Sequence, residues 1–343
     1  MEKEKKTIYI RTDGNAKIGM GHLTRCLSVA DAIFKRDGDV CFLAAGEETA
    51  AIVRKAGFDC EVLGTDYRRM EEELPVLERL TGDEKCLFLV DSYHVTDAYL
   101  RTLRKWGKVA YLDDVNAFPY PVNLIINGNI YGAKMDYSAC GANTEILGGP
   151  AYAPLKPQFK AHRGEREETY ILVTTGGSDP YRLAEKIVGA LLKEPWMEVE
   201  KICAVCGRFS LSIGALRELE KKEPRLRVLC DVPDMWPVMN GAKFAVTAAG
   251  GTMQELACLG VPMIGFSFAD NQCLATRIWQ EQGYSCYGGD YLSLGDEMIP
   301  EICAAAERLC GSSDLREMYS KKLMSLVDGE GSRRIAERLL HLQ

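Results

Sequence analysis

Short apolar runs alternate with stretches of helical period along most of the chain. TIYIRTD (7–13) has the β-branched and aromatic content of a strand, and the segment from about Met20 to Arg36 repeats its apolar positions at helical spacing. VCFLAA (40–45), CEVL (60–63), CLFLVD (86–91), KVAYLDD (108–114) and NLIING (123–128) predict further strands, with helices over 47–56, 68–80 and 96–105 between them. That alternation predicts a parallel, doubly wound sheet. It breaks between Gly148 and Glu168, where three prolines and a charged run read as a linker, with YAPLKPQF as an extended arm inside it.

The alternation then restarts. Strands are expected over 170–177, 199–206, 227–232, 243–251 and 261–267, with helices over 181–193, 210–222, 234–240, 252–259 and 269–282 and a wholly helical end. The expected organisation is an N-terminal domain over 1–150, a linker over 151–168 and a C-terminal domain over 169–343, leaving the last helix free to return to the N-terminal domain. The fold class is α/β, with two Rossmann-like doubly wound domains facing across a cleft, where ligands of such sheets bind.

Composition narrows the function. The chain has 343 residues, 47% hydrophobic and 27% charged, and a net charge of −7. That charge argues against nucleic acid as a partner, so an anionic ligand must be captured by local features. The start, MEKEKK, runs straight into a strand with no apolar leader, and no stretch approaches the roughly 20 apolar residues of a membrane span. The thirteen cysteines stand singly in apolar runs, the usage of a reducing compartment. Cys203 and Cys206 form a C-x-x-C within a strand-like run, without a second pair at zinc-ribbon spacing. A cytoplasmic protein without a membrane span is expected.

Three strand-turn-helix junctions carry the chemistry. In RTDGNAKIGMGHLTR (11–25), Gly14, Gly19 and Gly21 permit tight backbone, and the new helix offers unpaired N–H groups to an anion or a sugar oxygen. His22 falls in its first turn, where the positive helix end disfavours imidazolium and leaves the ring able to accept a proton; Arg25 follows on the same face. A dinucleotide loop is the competing reading, since Gly19-x-Gly21-x-x-Thr24 nearly fits G-x-G-x-x-G, but Thr24 replaces the third glycine and a histidine crowds the pyrophosphate position. In VTTGGSDPYR (173–182), Gly176, Gly177 and Ser178 offer donors to a phosphate, with Asp179 as helix cap and Pro180 as first helical residue. In TAAGGTMQELACLGVPMIGFSFADNQ (247–272), Gly250, Gly251 and Thr252 open a helix whose Glu255 suits the two hydroxyls of a ribose; Asn271 and Gln272 begin the next helix. Plainer readings stand beside these: a merely structural His22, an ordinary βα turn with a capped helix at 173–182, and a Glu255 that is simply favourable near a positive helix end. At the strand ends of the first half stand Asp91, Tyr93, Asp113 and Asp114, and either of the last two could orient His22 or bind sugar hydroxyls. His94 has no assigned role, and His162 and His341 read as solvated.

The G-M-G-H-L-T-R turn, the G-G-S-D turn and the G-G-T-M-Q-E-L-A…G-V-P…D-N-Q block together resemble the glycosyltransferase-B superfamily and its MurG-like enzymes. More narrowly, RTDGNAKIGMGHLTRCLSVADA, the DSYH and LDD strand ends and TTGGSD look like the UDP-2,4-diacetamido-2,4,6-trideoxy-β-L-altropyranose hydrolases of pseudaminic acid biosynthesis, with spore-coat polysaccharide proteins similar. The likeness spans most of residues 7–285. It implies metal-independent, cofactor-free hydrolysis of a UDP-sugar by water with inversion. His22 would be the base, Tyr93 would lie near the reacting sugar, Glu255 would hold the uridine ribose and the glycine turns the diphosphate. Ala249, Gly250 and Gly251 stand where some relatives carry hydroxyl residues, so phosphate contacts there fall to backbone amides and Thr252. The remaining alternatives are a transferase using the same histidine on a sugar hydroxyl, a non-catalytic sugar-nucleotide binder and a NAD-dependent dehydrogenase.

Overall fold

A computed structural model describes residues 7–15, 17–81 and 86–342. The charged start Met1–Lys6 lies outside the described residues. Two units divide the chain: the described parts of Met1–Lys156 and Glu330–Gln343 form one, and Pro157–Gly329 forms the other.

The first unit is built on seven parallel strands, β1 (Thr7–Thr12), β2 (Asp39–Ala44), β3 (Asp59–Val62), β4 (Cys86–Asp91), β5 (Gly107–Leu112), β6 (Leu124–Asn127) and β7 (Glu145–Gly148). They run in the order β3-β2-β1-β4-β5-β6-β7. Helices α1 (Gly21–Phe34), α2 (Glu47–Lys55), α3 (Leu74–Thr81) and α4 (Asp97–Trp106) connect them. Strand β4 is buried at every position, as a parallel strand covered on both faces must be. Successive connections diverge on either side of the β1/β4 pair, which leaves a crevice at the carboxyl ends of these two strands.

A charged cluster is buried beside the glycine turn that follows β1. Arg11 on β1 is fully buried and its Nε donates to both oxygens of Glu73, at 2.8 and 2.9 Å, while Nη1 pairs with Asp13. The Tyr99 hydroxyl donates to Glu73 at 2.5 Å, and Asp13 accepts from the Ala45 amide at 2.9 Å. Burial works against the Arg11 charge, and Glu73 and Asp13 outweigh it, so the guanidinium is held above its usual range. The network anchors the residue at which β1 gives way to the glycine turn.

The second unit repeats the plan after a short α5 (Pro157–Ala161). Its elements run β8 (Tyr170–Thr174), β9 (Ser178–Asp179), α6 (Leu183–Leu191), β10 (Ile202–Cys206), β11 (Phe209–Ser210), α7 (Ile213–Glu220), β12 (Leu226–Cys230), α8 (Met235–Asn240), β13 (Ala242–Ala248), α9 (Gly251–Leu259), β14 (Met263–Ser267), α10 (Asp270–Glu281), β15 (Cys286–Asp290), α11 (Tyr291–Leu294), α12 (Met298–Gly311) and α13 (Ser313–Leu326). Six strands form a parallel sheet in the order β12-β10-β8-β13-β14-β15, which reverses direction between β8 and β13; β9 and β11 pair separately. Cys203 and Cys206 lie buried in β10, and none of the thirteen cysteines is in a disulfide.

Strands β7, β9, β11 and β15 depart from the expected elements. Two of them have only two residues, and β15 (CYGGD) carries two glycines, so none shows a strand pattern by itself. The stretch expected as an extended arm instead contains a 3₁₀ turn at Pro150–Tyr152 and α5, with Ala153, Leu155 and Phe159 buried.

The last helix, α14 (Gly331–Leu342), belongs to the first unit and packs on α1 through Ile335, Ala336 and Leu339. Ser332 donates to the Leu155 carbonyl at 2.8 Å, and Arg338 Nε reaches Glu145 at 2.7 Å. Its first residue must be glycine, because a Cβ on Gly331 would lie 2.0 Å from the Ala153 carbonyl oxygen, a backbone atom. Gly331→Ala is therefore expected to force this helix off its seat and destabilise the protein by about 1–3 kcal/mol. Thermal unfolding checks this, and an unchanged midpoint would contradict the close contact.

Candidate active site

The crevice of the first unit is lined from four strand ends. After β1 the chain makes a turn in which the Asn15 and Gly19 backbones exchange hydrogen bonds of 2.8 and 3.2 Å, and Asn15 Oδ1 accepts from the amides of Lys17 and Ile18. Gly19 has φ +76, a left-handed conformation that a side chain would strain. Helix α1 then begins at Gly21 with neither a side-chain cap nor an acidic residue in its first turn. Its initial amides are left without a side-chain cap, next to His22.

His22 is 9% exposed, and its ring nitrogen Nδ1 lies 2.6 Å from Asp91 Oδ1 at the end of β4. An ionised carboxylate can only accept, so Nδ1 carries the proton and Nε2 keeps its lone pair. No hydrogen bond engages Nε2 among the described residues. Arg25, one turn along α1, grips the same carboxylate with two donors: Nε to Oδ2 at 2.6 Å and Nη2 to Oδ1 at 2.6 Å. Its Nη1 reaches Asp114 Oδ1 at 2.9 Å. The other oxygen of Asp114 accepts from the Tyr93 hydroxyl at 2.7 Å, and the Tyr93 ring meets His22 edge-on, 4.6 Å between centroids. Five side chains thus close a ring of contacts. Asn129 donates to Asp114 at 2.7 Å, and the Tyr131 hydroxyl donates to the Asp114 backbone at 2.9 Å.

The electrostatics follow. Burial would push the Asp91 carboxyl up, but Arg25 and His22 outweigh it and hold it well below the usual carboxylate range. Asp114 is likewise buried and held low by Arg25, aided by the Tyr93 hydroxyl. Burial opposes the charge of Arg25, and Asp114 and Asp91 keep it protonated.

Several residues differ from the sequence reading. The orienting carboxylate of His22 is Asp91 and not Asp113 or Asp114, because β4 is the neighbour of β1. Asp113 is buried and accepts from Tyr120, Tyr137 and the amides of Val115 and Asn116, which makes it the clasp of its own turn. Asn129 and Tyr131 join the site without a motif of their own; the one sequence signal for them is their place directly after the strand-like NLIING. Gly21 and Tyr93 lie beside His22 at the first unit's strand ends, and Arg25 has its donors on two carboxylates. His94 lies against Tyr67, 5.4 Å between centroids, and His162 stacks on Trp236 at 3.5 Å instead of standing in solvent.

In the second unit, the turn after β8 has Gly176 at φ +81, with its amide on Thr174 Oγ1 at 3.3 Å. Gly177 is exposed and Ser178 half-buried, and the Thr175 hydroxyl is buried without a partner among the described residues. The expected helix start at Pro180 moves to Leu183, since Arg182 adopts a left-handed conformation. Asp179 nevertheless caps it, accepting from the Leu183 and Ala184 amides at 2.8 and 3.0 Å and from Ser212 at 2.6 Å. After β13, Gly250 and Gly251 are exposed and open α9 without a side-chain cap. Thr252 and Glu255 are half-buried on its first turns. At the head of α10, Asn271 is exposed, while Gln272 accepts from the Phe268 amide at 3.0 Å and so braces its own turn. No group of three or more His, Cys, Asp or Glu suited to a metal ion occurs among the described residues. Nor is any described helix long and apolar enough to cross a membrane.

Two doubly wound units with glycine turns at both strand-order reversals correspond to a known architecture. MurG of Acinetobacter baumannii superposes with a TM-score of 0.68 at 14% identity, over 98% of this chain and 99% of that one. An S. aureus MnaA–UDP co-structure gives 0.67 at 14% identity, over 98% of each. The fold is glycosyltransferase-B. No protein-family model matches the chain. Among curated proteins, the spore coat polysaccharide biosynthesis protein SpsG of Bacillus subtilis (strain 168) is 25% identical over 98% of both chains. The UDP-2,4-diacetamido-2,4,6-trideoxy-beta-L-altropyranose hydrolase of Campylobacter jejuni is 25% identical over 81% of this chain and 97% of its own. The resemblance read from the glycine turns is thereby borne out.

The buried carboxylates make the glycosyltransferase-B core sensitive to acid. A carboxyl held low in the folded state stabilises it above the unfolded pKa of about 4, and that contribution is lost as pH falls through the folded value. Stability measured by urea unfolding should fall steeply below about pH 4. Asp91→Asn should be less stable at pH 7 and show a shallower acid decline; equal slopes would contradict the assignment.

Proposed function

We propose that the chain is a nucleotide-sugar hydrolase: it cleaves the anomeric C–O bond of a UDP-linked diacetamido-trideoxy sugar with water and inversion, releasing UDP and the free sugar in nonulosonic (pseudaminic) acid biosynthesis. The observation that carries the reading is the His22–Asp91 pair at an uncapped helix start. Asp91 fixes the proton on Nδ1 and leaves Nε2 as a base, as in other histidine–carboxylate catalysts. The hydrolase name of the Campylobacter relative supplies the substrate class.

In this reading the water oxygen bonds to the anomeric carbon as its proton passes to His22 Nε2. The bond from that carbon to the diphosphate oxygen breaks, and UDP departs with the electron pair. The second unit holds UDP. Amides after Gly176 and Gly250, with Gly177, Ser178, Gly251 and Thr252, take the charge growing on the diphosphate, and Glu255 accepts from the ribose hydroxyls. Asn271 and Gln272 border the same nucleotide. Those fixed donors replace a divalent cation, so we propose that no metal is required; inhibition by a chelator that metal reverses would overturn this. Tyr93 borders the reacting sugar. We place the reaction in the cytoplasm.

A second reading, an inverting transferase in surface or spore-coat polysaccharide synthesis, is favoured by the full-length likeness to SpsG. There a sugar hydroxyl replaces water and His22 acts unchanged.

Incubation with a panel of UDP-N-acetylated sugars in ¹⁸O-water, without acceptor, is expected to release UDP and to place ¹⁸O on the sugar's anomeric hydroxyl. Label in phosphate would sink the mechanism, and tight UDP binding without turnover of any panel member would favour the transferase. His22→Asn should lower kcat by roughly 10²–10⁴-fold with UDP affinity retained; turnover within a few-fold of wild type would remove His22 as the base. Glu255→Ala should weaken UDP binding, and an unchanged Kd would refute the ribose assignment.

A further inference from the structure

The Asp91 oxygen that receives the His22 Nδ1 proton, Oδ1 at 2.6 Å, also receives Arg25 Nη2 at 2.6 Å. That Nη2 lies 3.2 Å from Nδ1 itself. The imidazole therefore shares its carboxylate oxygen with a permanent cation, unlike a histidine paired with a carboxylate of its own. We propose that Arg25 is a positioning residue that acts on His22 through Asp91, locking the Nδ1–H tautomer and limiting how strongly the carboxylate retains the protonated ring, with Asp114 as its counterweight. This rests on the reading of His22 as the base.

Three features of the ring support the assignment. The two-donor grip of Arg25 fixes the plane of the Asp91 carboxylate, which lone contact with a histidine would leave free to rotate. A lysine could supply the charge but not the fork. With Asp91 and Asp114 both ionised and Arg25 protonated, the cluster carries one net negative charge while His22 is neutral and none when it is protonated. Proton uptake thus cancels a buried charge, and removing Arg25 would leave two negative charges to hold the proton. Asp114 acts in the opposite sense: it engages Arg25 Nη1 at 2.9 Å and orients Tyr93, whose ring bears on His22.

The charged and titratable groups around His22 come from each neighbouring element. Arg25 and Cys26 are on its own helix; Asp91 ends β4, with Tyr93 and His94 after it; Asp114 follows β5, and Tyr131 lies beyond β6. Among these, Arg25 is the only one besides Asp91 with a hydrogen-bonding atom within 3.5 Å of Nδ1.

The test follows the His22 ring by NMR as pH varies, with His22→Asn identifying its signal among the four histidines of the chain. It is run beside kcat/KM pH profiles for wild type, Arg25→Met, Arg25→Lys and Asp114→Asn. Arg25→Met should move both the ring titration and the acid limb of kcat/KM upward by about one pH unit or more, and should depress kcat more than it changes KM. Arg25→Lys should bring the titration back toward wild type while recovering only part of kcat. Asp114→Asn should move the titration downward. An unmoved titration in Arg25→Met, or shifts of one sign in Arg25→Met and Asp114→Asn, would overturn the proposal. Should Arg25→Met fail to fold, a titration near wild type with reduced kcat in Arg25→Lys and a downward titration shift in Asp114→Asn still support the proposal, and an unmoved titration in Asp114→Asn overturns it. Absence of turnover by wild type on every UDP-sugar would remove the hydrolase reading alone, since the ring titration needs no substrate.

Discussion

A buried carboxylate at the end of an apolar strand requires compensation, and the arrangement around Asp91 follows from that requirement. Asp91 closes β4, a strand buried at every position, and is itself 1% exposed. An uncompensated charge there would cost several kcal/mol. Arg25 supplies the cation, and its second end draws in Asp114, whose remaining oxygen selects Tyr93 and whose first oxygen also takes Asn129. The Cys26 thiol and His22 complete the contacts of Asp91, and the imidazole is held there by Nδ1 alone. A group able to accept a proton is thus a by-product of satisfying a buried acid.

Topology makes this assembly possible. Residues 22, 91, 114 and 129 are far apart in sequence, yet β1, β4, β5 and β6 are consecutive neighbours in the sheet, so the segments following them converge on one edge. The Arg11–Glu73–Asp13 network holds the other side of the glycine turn. Asp13 is pinned to the Ala45 amide and Gly14 to Thr49, so the loop before His22 is fixed from β2 and α2 as well. A rigid backbone is what a proton acceptor on the first turn of a helix needs, because an error of an ångström in its position is costly.

Much of this was legible in the sequence. Alternating apolar runs gave the two doubly wound sheets, and the spacing of Gly19, Gly21 and His22 gave the first junction. What stayed hidden depends on strand order. That Asp91 and not Asp113 or Asp114 meets His22 follows from β4 lying beside β1, which no local pattern states. Arg25 read as a ligand residue because a basic side chain one turn into a helix shows its charge but not the acids that absorb it. Strands β7 and β15 were missed because glycine and charged residues occupy them and pairing alone makes them strands.

The two units use one topology for different electrostatic ends. In the first, the reversal between neighbouring strands is filled by ionised side chains that nearly cancel, a setting in which a proton can be moved at little cost in net charge. In the second, the turns after β8 and β13 present glycine backbone, and the acid nearest the first of them, Asp179, is fully buried and committed to capping α6. Neutral amides at helix starts attract an anion without adding a charge that must itself be compensated. For a chain with net charge −7, such turns would hold the diphosphate of the proposed substrate without a further charged side chain.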